Sequence, residues 1–237
     1  MTYLVVAFLV GVLIALHEVG HLLAAKLSRI PIARLSVGFG PRLFSFKRGR
    51  TEYWISAIPL GGYVLPGLDK DEFRQLSASK QIAFALGGPI ANLAAAFAGL
   101  FALGLVQFQL AVTEALRFAA TNLWADLEQM AHAVATLFTR ADEISGIVGI
   151  VAVGGAQYGS TLAGLLTFSV LINLNLVILN LLPLPPLDGG RILFYTLEKL
   201  YRPLHRARTP VTVFGLALLL GVMVYATVQD VGRIVAA

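Results

Sequence analysis

Apolar residues gather in four long runs, separated by mixed segments. The first run, Tyr3 to Leu16, continues through His17-Glu18-Val19-Gly20-His21 into Leu22-Leu-Ala-Ala25. The others cover about 82–106, 162–182 and 211–228. A bilayer core takes about 20 apolar helical residues, so each run predicts a spanning helix. Between the first two spans the pattern changes. Glu52-Tyr-Trp-Ile-Ser-Ala-Ile58 is rich in strand formers. Gly38-Phe-Gly-Pro41 breaks any helix, and Pro59-Leu-Gly-Gly-Tyr63 reads as a turn. A β-hairpin or small sheet over about 34–66 is predicted. It reads either as a cytoplasmic linker or as a membrane-re-entrant sheet beside the first helix. Its apolar centre favours the second, because extended backbone at membrane depth survives where it lines protein or a wet cavity.

Asp69 to Lys80 is polar and predicts a short surface helix or connector. Leu116, Ala120, Leu123, Leu127, Met130, Val134 and Leu137 recur at helical spacing, with Asp126, Glu128, Gln129 and His132 on polar faces. That predicts an amphipathic helix over about 114–139, lying on or against the bundle. The Gly-rich run 146–156 is too short to span and predicts a re-entrant or interfacial piece. The expected fold is an all-α polytopic membrane protein with four spans, at about 2–27, 82–106, 162–182 and 211–228. A small re-entrant β-hairpin follows the first span, and residues 1–237 form a single domain.

Composition agrees. Of 237 residues, 57% are hydrophobic and 13% charged, about half the charged fraction of soluble domains. The absence of cysteine excludes a disulfide framework and leaves any zinc to His and Asp/Glu. The first run is too long for a signal-peptide core and lacks a basic leader, so it is expected to stay as a helix. The net charge of +5 points to orientation, not to nucleic acid. Lys and Arg number 10 from Lys26, at the end of the first span, to Lys80, 2 between the second and third spans, and 5 between the third and fourth. Basic loops stay in the cytoplasm. Both termini are therefore expected outside the cell membrane, with His17 near the cytoplasmic face.

The candidate chemistry sits in the first span. In HEVGH, His17 and His21 share one helix face and can reach one ion, while Glu18 stands beside it to take a proton from water. Ionisable residues inside a spanning helix are costly and functional by default. Asp188, after Pro183-Leu-Pro-Pro-Leu at the inner end of the third span, reads either as a helix cap or as a third ligand. It is the acidic residue nearest the inner helix ends, and a third ligand is needed. One Zn²⁺ per chain is expected, although a His/His/Asp set without thiolate also suits other divalent ions. Asn92 reads equally as interhelical glue or as a cavity residue. Asn173, Asn175 and Asn180 put three amides in one apolar helix, more than packing needs. His132 reads as a polar-face residue and His205 as a phospholipid contact.

HEVGH, Gly88-Pro-Ile-Ala-Asn92 and Asn180-Leu-Leu-Pro-Leu-Pro-Pro-Leu-Asp188-Gly together resemble the site-2 protease family of intramembrane zinc metalloproteases. Val37-Gly38-Phe-Gly40-Pro41 and Thr51 to Val64 resemble the family's re-entrant β-loop, and Glu143-Ile-Ser-Gly146 and Gln229-Asp230 also fit. The likeness is greatest to the bacterial branch that cuts anti-sigma factors. It implies His17, His21 and Asp188 as zinc ligands and Glu18 as the catalytic base. It also implies substrate-handling roles for Asn175 and Asn180. Asn92, Gly38, Gly40 and the strand Ile55-Ser56-Ala57-Ile58 join the expected substrate-binding set, the strand by pairing its edge with an unwound segment. The implied activity is hydrolysis of peptide bonds in or next to the membrane segment of single-span proteins during regulated intramembrane proteolysis. Two departures stand out. The connection between the second and third spans is too short for that branch's PDZ domains, and Ile147 replaces a proline. The alternative is a non-catalytic, metal-dependent binder of membrane helices or a metal carrier. Such a protein needs the ligands but not Glu18.

Overall fold

The computed structural model describes residues 1–137 and 146–236. The end of the predicted amphipathic helix at 138–139 and Glu143-Ile-Ser145 lie outside the described residues, as does the side chain of His205. In chain order the elements are α1 (Thr2–Leu27), β1 (Ile32–Arg48), β2 (Thr51–Pro66), α2 (Lys70–Gln75), α3 (Ala78–Val106) and α4 (Val112–Leu137). Then follow α5 (Ile147–Gln157), α6 (Leu162–Leu181), α7 (Asp188–Leu200) and α8 (His205–Ala236). The chain is thus mainly helical. Four helices, α1, α3, α6 and residues 206–233 of α8, are long and apolar enough to cross a membrane. α8 begins before the apolar run because its first turns carry the basic stretch at 205–208, which hydropathy does not register as helix.

The hairpin departs from expectation in where it turns. The tight turn is at Gly49-Arg50, with Gly49 at φ 63°, and β2 continues through 59–63 to Pro66. Gly38 (φ 90°), Gly40 (φ 82°) and Gly61 (φ 117°) bend the strands instead of ending them. At Gly38 a Cβ would stand 2.7 Å from the Ile58 carbonyl oxygen. β1 and β2 pair antiparallel, and the bends give the first part of β1 partners on both sides. Ser36 pairs with Trp54 and Tyr63, and Val37 with Ile55 and Gly62. One face of the hairpin carries Phe44 and Phe46, with Phe46 stacked on Tyr53 at 4.9 Å. Elsewhere the Arg34 and Arg42 guanidinium groups lie 3.5 and 5.1 Å from the Trp54 ring centre.

The chain divides into two compact units. One comprises Gly11–Leu93 and Asn180–Thr209. Its core is Leu22, Ala25, Ile30, Ile32, Leu35 and Phe84, with Val19, Tyr53, Val64 and Phe73 against it. Here α1 meets α3 backbone to backbone. A Cβ on Gly20 would strike the Gly87 carbonyl, and one on Gly87 the Gly20 carbonyl. Small residues at a membrane-helix crossing permit this approach. α2 is held by a capping box in which Asp69 accepts from Asp71 and Glu72 amides while Glu72 accepts from the Asp69 amide.

The other unit comprises Met1–Val10, Ala94–Leu179 and Pro210–Ala237. Gly154 lies against Phe168 and Val6, Gly155 against Tyr3, and Gly99 against Val170. The short apolar run is helix α5. Its N-terminus is capped from α8: the buried Asp230 carboxylate accepts from the Gly146 and Gly149 amides, both at 2.8 Å.

Candidate metal centre

All four chemistry-bearing residues of the sequence reading belong to the first unit and are buried. His17 and His21, one turn apart on α1, point their Nε2 atoms to the same place, 3.2 Å from each other. Asp188 Oδ2 completes the group, 3.1 Å from His17 Nε2 and 3.2 Å from His21 Nε2. Asp188 is therefore not a cap. It is the first residue of α7, whose N-cap is Leu187 with no side-chain hydrogen bond. The turn that aims it is tight: a Cβ on Gly189 would run into the Leu181 and Leu182 carbonyls, and one on Gly190 into Leu184 and Pro185.

The donor set fits a zinc ion. Three ligand atoms held 3.1–3.2 Å apart approximate one face of a tetrahedron whose edge is about 3.3–3.4 Å at zinc–nitrogen and zinc–oxygen bond lengths. Each imidazole also has its other nitrogen engaged. His21 Nδ1 donates to the Phe84 carbonyl at 2.8 Å, and His17 Nδ1 donates to Asn92 Oδ1 at 3.1 Å. That arrangement fixes the tautomer and leaves Nε2 for the ion. Burial pushes the Asp188 carboxyl up. The Arg191 guanidinium beside it opposes that and favours the ionised form. The group stays ionised, as a metal ligand must be. Arg191 reaches the second carboxylate oxygen, Oδ1, at 3.3 Å.

Two glycines shape the space around the ligands. A Cβ on Gly88 would collide with Nε2 of both His17 and His21, so α3 leaves a gap at the place the ligands face. A Cβ on Gly62 would lie 2.7 Å from Cγ of Glu18, so β2 packs directly over the glutamate. Arg191, Gly62 and the Phe84 carbonyl were not among the residues expected at the site. Arg191 was signalled by its i+3 spacing from Asp188. The carbonyl carries no side-chain signal at all.

The remaining expected site residues are placed as follows. Ser56 is buried, pairs with Arg42 and shares a 3.1 Å hydroxyl contact with Ser36. Ile55 pairs with both Val37 and Phe44. It is an interior strand position there, not the open edge expected, because β1 folds around both sides of it. Ile58 pairs with Phe39, and Ala57 is exposed. Gly38 and Gly40 sit at the bend of β1. Asn180 is half-buried in the same unit as the candidate metal ligands. Asn175 belongs to the other unit, as does Asn173, whose amide donates to the Ser169 carbonyl of its own helix.

The chain also matches known proteins. Residues 5–222 match peptidase family M50. A provisionally named zinc metalloprotease of Fusobacterium nucleatum is 25% identical over 344 aligned residues, covering 99% of each chain. A Synechocystis protein of the same provisional name is 26% identical over 335, covering 93% of this chain and 92% of its own. The zinc metalloprotease Rip1 of Mycobacterium tuberculosis is 38% identical over 116 residues, 43% of this chain and 28% of that protein. The two long alignments exceed the 237 residues present here, so those relatives contain internal stretches that this chain lacks. With the match running from the first spanning helix into the last, the chain belongs to peptidase family M50, the site-2 proteases.

Proposed function

We propose that this multi-pass membrane protein is an intramembrane zinc metalloprotease. It holds one zinc ion on His17, His21 and Asp188 and hydrolyses peptide bonds in or next to the membrane segment of single-span proteins, of which anti-sigma factors are the type. The observation that carries this reading is three converging, buried ligand atoms, two of them and Glu18 on a helix apolar enough to cross a bilayer and the third from Asp188 of α7. A zinc ion bound there supplies Lewis acidity at a peptide carbonyl and lowers the pKa of water. Glu18 takes the proton from the attacking water and returns it to the leaving amine.

A substrate helix hides its carbonyls in its own hydrogen bonds, so it must unwind before it is cut. The sheet lies over Glu18 through Gly62, and strand addition to this sheet, near Ser56 to Ile58 and the Gly38–Gly40 bend, is the proposed means of holding the unwound segment. Asn180 offers an amide to freed backbone groups, which are expensive to leave unpaired in a dry site. The part of Asn175 is proposed from the family motif alone. Re-entry of the hairpin into the bilayer is supported by the exposed Phe44, Phe46, Ile55 and Ile58. The basic loops set the proposed orientation, with both termini outside and the site near the cytoplasmic face.

The test is incubation of the purified protein in detergent with a labelled single-span substrate. Cleavage that a zinc chelator abolishes and added zinc restores is expected. Cleavage unaffected by chelation contradicts the reading.

A further inference from the structure

α3 meets the metal ligands at three positions spaced four apart, matching the spacing of the histidines themselves. The Phe84 carbonyl accepts from His21, Gly88 leaves the gap before both Nε2 atoms, and Asn92 Oδ1 accepts from His17. The two histidines thus have unlike supports. That of His21 is backbone, fixed by the helix. That of His17 is a side chain, and the sequence can change it.

We infer that Asn92 is a positioning residue for the metal centre, setting the tautomer and ring angle of His17 through its side-chain oxygen. This rests on the metal-site reading proposed above. Asn92 is fully buried in an apolar helix, where an amide is costly unless it is used. Among the described residues its Nδ2 has no hydrogen-bond partner, while its Oδ1 is engaged by His17. Turning the amide over would put an N–H donor against His17 Nδ1. That nitrogen would then have to accept, and its proton would move to Nε2, the atom facing His21 and Asp188. A protonated Nε2 cannot ligate a metal. The orientation with oxygen toward His17 is therefore the one compatible with an ion.

The experiment compares wild type with Asn92→Asp, Asn92→Leu and Asn92→Ser, each full-length in detergent, by zinc competition against a chelating dye. Cobalt(II) absorption on the same preparations reports ligand geometry. Aspartate keeps an acceptor oxygen in place, leucine removes it at similar volume, and serine is too short to reach. Leucine and serine should each weaken zinc binding by about 10–100-fold, the usual effect of losing an outer-shell partner. Aspartate should bind close to wild type and preserve the cobalt spectrum. The serine variant decides the matter if the leucine variant does not fold. Wild-type affinity in the serine variant overturns the inference. So does an aspartate variant as weak as serine, since that would assign the role to the Nδ2 donor. A wild type that binds no divalent metal defeats the metal-site reading itself, which keeps the two failures apart.

Discussion

Asp188 shows how far a residue can be read before its surroundings are known. An Asp-Gly pair at the start of a helix is ordinarily a cap. Here it is the first residue of α7, one past the N-cap, and both of its oxygens are used: one toward the two imidazoles, the other toward Arg191. Asp188→Ala should leave zinc near zero in the purified protein, against one per chain in wild type, by metal analysis. Full zinc with normal activity would remove Asp188 from the site. Gly88→Val should do the same from the opposite side, by filling the gap before His17 and His21 Nε2. The candidate ligand group was legible because the identity and spacing of its residues carry the chemistry, and the structure brings the three together. The Phe84 carbonyl was not, because a backbone acceptor looks the same in every residue. Gly88 was visible as a small residue, but a sequence does not show what a missing Cβ makes room for.

Among the elements, helices were legible and strand geometry was less so. A run of apolar residues long enough to cross a bilayer admits few other readings, and all four predicted spans are helices. The hairpin was anticipated over the right residues with its turn at Pro59–Tyr63. Glycine marks a turn and a bend alike, and only the pairing of Ser36 and Val37 on both sides distinguishes them. The amide Asn92 looked as much like glue as like a site residue for a similar reason: its partner lies 75 positions away. The backbone contact of Gly20 with Gly87 leads to a stability prediction. Gly87→Ala forces a methyl against the Gly20 carbonyl and the Ala24 side chain. Overpacking of that kind costs about 1–3 kcal/mol. Gly221→Ala meets nothing within 4 Å and is the control. Thermal unfolding of the metal-free proteins in detergent should show a lower midpoint for Gly87→Ala than for Gly221→Ala. Equal midpoints would mean that the two helices can part without loss.

For the molecule as a whole, basic-residue placement and the catalytic reading lead to separate tests. With 10, 2 and 5 basic residues in the successive connections, a cysteine replacing Arg50 should resist an impermeant thiol reagent in intact cells. One replacing Glu128 should react. The natural chain has no cysteine to confuse the result, and the reverse pattern would put the site at the outer face. The proposed ligands and Glu18 come from segments this chain retains, although the internal stretches of the long relatives are absent here. The most direct measurement is therefore cleavage of a single-span substrate by wild type and Glu18→Gln. Zinc content and substrate co-purification are read on the same preparations. Glutamine keeps the shape of Glu18 beneath Gly62 but cannot take a proton from water. General acid–base help is worth about 10²–10⁴-fold, so the variant should keep its zinc, still capture the substrate and cut it slower by that factor. Cleavage by Glu18→Gln at the wild-type rate would contradict the hydrolytic account.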